Sequence, residues 1–175
     1  MKPIFILLLS FTLTSTKLYQ FSEESKSTDW LVVNDGVMGG LSKGTFQLNE
    51  KGNGVFQGYV SLDNNGGFSS IRHRCNFSSV NPNSSIVLRL KGDGKNYQFR
   101  IKGNRRDYYS YKNTFRTSGK WETIKIPLHE FSPTFRGREL AIPNFDKNTL
   151  QEIAFLIANE KEEEFRLEVD YIILE

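Results

Sequence analysis

Residues 86–102 read IVLRLKGDGKNYQFRIK, and their alternation decides the fold class. Ile86, Leu88 and Leu90 alternate with Val87, Arg89 and Lys91, while Tyr97, Phe99 and Ile101 alternate with Gln98, Arg100 and Lys102. A period of two puts each set on its own face of an extended chain, so two half-buried β-strands are expected. Gly92-Asp93-Gly94 supplies turn chemistry between them. The direct expectation is a hairpin with one apolar and one basic face, on which Arg89, Lys91, Arg100 and Lys102 share a surface.

The period continues in both directions. Residues 108–117 form an aromatic, polar strand, and 120–127 set Trp121, Thr123 and Lys125 against Glu122, Ile124 and Ile126 before Pro127 ends the strand or marks an edge. Residues 150–158 are an apolar run, and Phe165, Leu167, Val169 and Tyr171 alternate with Arg166, Glu168, Asp170 and Ile172. On the other side, 44–48 and 55–62 read as a hairpin around the turn-rich 49–54. A second turn at 63–67 leads into 68–74, where Phe68, Ser70 and Arg72 share a face. Only 128–145, with Pro133, Gly137 and Pro143, weakens into a long connection, and loops of that length are often functional. About nine short strands without a long helical period point to an all-β chain folded as a jelly-roll β-sandwich. Trp30 and Trp121 are expected in its core.

Residues 30–42, WLVVNDGVMGGLS, hold the most unusual loop. An apolar strand runs into Asn34-Asp35-Gly36 and is released at Gly39-Gly40. Glycine, Asn and Asp open backbone angles closed to most residues, so the loop has a fixed shape. Two readings fit it. Either it is a tight connection with Met38 tucked into the core, or it displays Asp35 and Met38 for recognition.

At 175 residues the chain suits one domain of ordinary size. Its start differs from the rest: Lys2, an apolar run through Leu13 and small residues at 14–16 read as a signal peptide over 1–16. The run is too short for a comfortable membrane span. Residues 17–28 read as a polar spacer and 29–175 as the domain. Export or a periplasmic location is expected, the alternative being membrane association through the uncleaved apolar segment. Cys75 is the sole cysteine, which excludes an intrachain disulfide and a cysteine-based metal cluster within one chain. A net charge of +3 is too small to argue for nucleic acid. Lys and Arg nevertheless concentrate at 89–120 and acids at 160–175, as solvated faces or as a basic ligand-binding face.

The residue patterns supply no catalytic constellation. His73 and His129 lack patterned partners, and no glycine-rich phosphate loop opens a helix. Asp35, Asp63, Asp93 and Asp170 sit near turns or in a terminal strand, but no D-x-D-x-D-G calcium loop exists, so neither metal nor cofactor is expected. A binding patch is the better expectation. If loops at one end of the sandwich converge, Asp35, Met38, Asn64, Asn65, Arg72, Asp93, Phe135, Arg136 and Arg138 bring carboxylate, amide, guanidinium and aromatic groups together, suited to sugar hydroxyls or a protein surface. The structural alternative is an Asp35–Arg72 ion pair pinning the loop, with Phe135 covering the core edge.

Six blocks now stand in order: WLVVNDGVMGGLS (30–42), NNGGFSSIR (64–72), RLKGDGKNYQF (89–99), FRTSGKWETIKIPL (115–128), FSPTFRGREL (131–140) and FRLEVDYI (165–172). Together they resemble the complex I intermediate-associated protein 30 family. The resemblance implies a galactose-binding-domain-like jelly roll and a non-enzymatic assembly factor, chaperone-like in kind, that binds a protein partner and is linked to respiratory complex I. The chain is short and its leader looks secretory, unlike mitochondrial members. The alternative is an exported carbohydrate-binding module.

Overall fold

The computed structural model describes residues 15–175; the expected signal peptide falls almost wholly outside them, as do the side chains of Val37 and Met38. Thirteen strands build two antiparallel sheets among the described residues. The first sheet takes β1 (Thr16–Gln20), β3 (Lys43–Leu48), β4 (Gly54–Val60), β6 (Ser85–Lys91), β9 (Glu122–Pro127) and β13 (Glu163–Leu174). Its order is β3-β4-β13-β6-β9, with β1 pairing the far end of β13. The second sheet takes β2 (Trp30–Asn34), β5 (Ser69–Ser78), β7 (Asn96–Lys102), β8 (Ser110–Arg116), β10 (Ser132–Phe135), β11 (Arg138–Glu139) and β12 (Thr149–Ile157). Its order is β11-β10-β8-β7-β12-β5-β2.

The alternating residues do what their period dictates. Leu88 and Leu90 on β6, with Leu167 and Val169 on β13, meet Phe99 and Ile101 on β7 and Ile153 and Phe155 on β12 in one buried core. The Phe99 and Phe155 rings lie 4.9 Å apart at 63°, an edge-on arrangement that favours the ring quadrupoles. The sandwich expected from the strand pattern is therefore present, and the 44–48/55–62 hairpin is the β3–β4 pair.

Three expectations are corrected. The 86–102 stretch is not a hairpin: β6 pairs with β13 and β9, and β7 with β12 and β8. Gly92-Asp93-Gly94 instead arches from one sheet to the other, so the two apolar faces oppose each other across the core. The outward residues then point in opposite directions, and Arg89 and Lys91 do not share a surface with Arg100 and Lys102. Residues 17–28 are not merely a spacer, because Leu18 and Phe21 are buried and β1 completes the first sheet. Trp30 is buried, but Trp121 lies half-exposed outside the first sheet beneath the Arg89 guanidinium, 5.7 Å from its ring centre.

Removing a large ring from this core leaves a void that the rigid sheets close poorly. Phe155→Ala should cost about 3–5 kcal/mol, lowering the thermal midpoint by roughly 10 °C. Tyr108→Ala, at a side chain 68% exposed, should stay within about 0.5 kcal/mol. Parallel thermal melts followed by circular dichroism check both values.

Candidate functional site

The outer face of the second sheet, turned away from the core, forms an open groove of about 760 Å³. Its floor comes from the outward positions of the central strands: Ser70 and Arg72 on β5, Ala154 and Leu156 on β12, Gln98 and Arg100 on β7. The 62–68 loop borders it beside the start of β5, while Tyr108 and Tyr109 before β8 and Phe135 and Arg136 at the end of β10 border it on the other side. Tyr108 and Phe135 are exposed and stand edge to face, 5.2 Å apart at 85°. The long connection of 128–145 thus contains an ordered hairpin, β10–β11, closed by Arg136-Gly137. Both turn residues adopt positive φ, 49° and 79°, as a two-residue turn matched to strand twist requires. The Arg136 guanidinium lies over the Phe135 ring, 5.3 Å from its centre.

Charge on the floor is ordered by register. Arg72 on β5 and Arg100 on β7 both pair with Ala154 of the strand between them, and Arg100 pairs in turn with Lys112 of β8. None of the three forms an ion pair among the described residues. Arg100 donates from Nε and Nη2 to Gln98 Oε1 at 3.0 and 2.7 Å, which fixes its plane. Burial, with the like charge of Arg72, pushes its pKa down to about 10, so it stays cationic at neutral pH.

Asp35 has a different task from the display considered for it. It is wholly buried. Oδ1 accepts from the Ser42 amide at 3.0 Å; Oδ2 accepts from the Ser42 hydroxyl and from the Gly67 and Phe68 amides, the last two at 2.7 and 3.2 Å. A Cβ on Gly40 would lie 2.4 Å from the Asp35 carboxyl carbon, and one on Gly66 2.7 Å from Oδ2, so only glycine lets both backbones close around the carboxylate. Burial raises the Asp35 pKa, but the hydrogen bonds from Ser42, Gly67 and Phe68 outweigh it and hold the group below its ordinary 3.8. Asp35 therefore pins the 62–68 loop, through backbone amides and Ser42 and not through Arg72.

Among the residues expected to converge, Asn65, Arg72, Phe135 and Arg136 line the groove. Asn64 is exposed on the same turn, and Arg138 pairs with Phe135 just outside the groove. Asp93 is elsewhere: it accepts from the Tyr97 hydroxyl, the Lys95 ammonium and the Arg166 amide, securing the arch between sheets. The Met38 side chain lies outside the described residues. His73 Nδ1 sits 2.9 Å from the Asp29 carbonyl oxygen, and neither it nor His129 lines the groove. Burial, then Glu152, pushes the half-buried Cys75 thiol up to about 12. Arg100 and Lys112 lie in the basic 89–120 stretch considered as a ligand-binding face, but neither they nor Gln98 and Tyr108 belong to the expected patch; for the three on strands the available signal was their outward position, whereas Tyr108 lies just before β8.

The sequence matches the family described as Complex I intermediate-associated protein 30 (CIA30) over residues 19–169. This chain belongs to the CIA30 family. No curated protein matches it. Among solved structures, the CIA30 chain is similar to the family 11 carbohydrate-binding module of the cellulosomal cellulase Lic26A-Cel5E of Clostridium thermocellum, at 17% identity, covering 93% of this chain and 95% of that one, with a TM-score of 0.69. A family 11 module from the same organism, in complex with a β-1,3-1,4-mixed-linked tetrasaccharide, is 18% identical over 91% and 94% of the chains with a TM-score of 0.67. A family 29 carbohydrate-binding module is 10% identical over 93% and 91%, with a TM-score of 0.52. At these identities the likeness is one of fold: this CIA30 chain is a jelly-roll β-sandwich.

The pinned carboxylate gives a pH signature. Because the folded pKa of Asp35 is depressed, its contribution to stability is present above the ordinary pKa and disappears as pH falls through the folded value. Melts of the unaltered chain should lose midpoint steeply below about pH 4, whereas Asp35→Asn should be less stable at neutral pH by about 3 kcal/mol and show a flatter acid limb.

Proposed function

We propose that this chain is a non-catalytic binding module that holds a sugar chain in the groove on the outer face of its second sheet. The observation that carries the reading is the pairing of exposed aromatic rings, Tyr108 and Phe135, with a floor of amide, hydroxyl and guanidinium groups in one open cleft. Pyranose rings offer C–H faces to aromatic rings and hydroxyls to polar side chains, so this mixture suits them. The volume lies within the ordinary range of ligand sites, roughly 300–1,000 Å³. The fold likeness supports the same reading, since one similar structure is the carbohydrate-binding module of a cellulosomal cellulase and another is such a module in complex with a β-1,3-1,4-mixed-linked tetrasaccharide. Export through the expected leader belongs with it.

Family membership favours a second reading, an assembly factor that holds a protein partner of respiratory complex I. There the exposed Arg136 and Arg138 at the β10–β11 hairpin carry the contact. Replacing both with Ala should abolish capture of complex I subunits from a membrane extract while leaving the fold intact.

For the favoured reading, calorimetric titration with short neutral and acidic oligosaccharides should give saturable binding. Tyr108→Ala and Phe135→Ala should each weaken it by about tenfold, with unchanged melts for Tyr108→Ala. Heats at the level of dilution for every glycan in the panel count against it.

A further inference from the structure

Resting on the glycan reading of the groove, we infer that its floor contains an anion subsite, formed by Arg72 and Arg100 over Ala154 with Lys112 alongside, that selects sugar chains bearing carboxylates or sulfate esters, as uronic-acid polysaccharides do.

The register makes the case. Arg72, Ala154, Arg100 and Lys112 occupy one row across four neighbouring strands. Like charges set side by side across a sheet are destabilising, and the usual remedy is an opposite charge in the row. Such a remedy exists one step along the strands, where Glu152 pairs with both Arg74 and Lys102. The Arg72–Arg100 row has instead the small side chain of Ala154 between its guanidiniums, which leaves space above it and no carboxylate. The groove as a whole carries five cationic side chains, Arg72, Arg100, Lys102, Lys112 and Arg136, against two carboxylates, Glu152 and Glu160.

Hydrogen-bond capacity agrees. A guanidinium has five N–H donors, and Arg100 directs Nε and Nη2 to Gln98, leaving Nη1 uncommitted among the described residues. Gln98 is neutral, so it orients the cation without discharging it. Burial that lowers the Arg100 pKa also deprives the charge of water, and a ligand anion restores what was lost. The row crosses three strand spacings, about 14 Å at roughly 4.8 Å each, which suits acidic groups repeated along an extended chain. The exposed aromatic rings at the border, suited to pyranose faces, favour an acidic sugar over an acidic peptide.

The test titrates the full chain with three probes: tetragalacturonate, the neutral β-1,3-1,4-linked glucose tetrasaccharide, and a hexaglutamate peptide. Tetragalacturonate is expected to bind at least about tenfold more tightly than the neutral tetrasaccharide, with an affinity that falls as salt is raised. Arg72→Gln and Arg100→Gln should each weaken tetragalacturonate more than the neutral tetrasaccharide, removing most of that preference and flattening its salt dependence; their melts confirm folding. The preference and its salt dependence in the unaltered chain test the subsite even where a variant fails to fold. Equal, salt-insensitive binding of acidic and neutral tetrasaccharides overturns the anion subsite and leaves the glycan groove standing. Binding of neither sugar overturns both, and binding of hexaglutamate alone does so in favour of a protein partner.

Discussion

The buried carboxylate of Asp35 is the constraint on which the shape of the groove depends. It draws the amide of Ser42 from after β2 and the amides of Gly67 and Phe68 from before β5 onto one pair of oxygens. Two loops separated by some thirty residues are thereby held as one unit, and the second of them borders the groove. A buried carboxylate is tolerated only when its hydrogen-bonding capacity is filled. Here the filling is done by three backbone amides and the Ser42 hydroxyl, which reach the carboxylate because Gly40 and Gly66 carry no side chain. The chemistry of the opening loop is therefore architectural, and its functional effect is indirect: it positions Asn65 and the glycines beside Arg72.

With that border fixed, the sheet supplies the rest. Its central strands are covered on the inner face by the other sheet and present their outer positions to the groove, so residues 97–102 of β7 alternate between the core and the floor. Tyr97, Phe99 and Ile101 hold the sandwich together; Gln98, Arg100 and Lys102 line the groove. The core and the groove floor share one strand but use alternate residues, so the polar floor can vary with little effect on the packing beneath it.

The strand pattern was legible because a period of two is a local property. Pairing partners were not, since alternation along residues 86–102 is the same whether the chain turns back within a sheet or arches to the opposite one. The Gly92-Asp93-Gly94 segment permits both, and Asp93 decides between them only through Tyr97 and through Arg166 of a distant strand. The same limit explains the site. Asn65, Arg72, Phe135 and Arg136 were recognisable as polar or aromatic groups near turns, whereas Arg100 and Lys112 became neighbours only through register. Asp35 stood out for its loop, but its role depended on amides at 67 and 68. The polar look of residues 17–28 concealed Leu18 and Phe21, whose burial depends on β13.

The position of β13 also bears on how the chain reaches this structure. Twelve residues at 163–174 pair with β4 along their first half, with β1 at their end and with β6 on the other edge, so one strand joins segments from the start and the middle of the sequence. Three of the first sheet's interfaces cannot form before those residues are available. The closing of large loops then precedes most of the stabilising contact, which is the situation of slow-folding, high-contact-order β-proteins. Until that strand arrives, the edges of β4 and β6 present unpaired backbone groups, and the nascent sheet depends on being shielded from other chains.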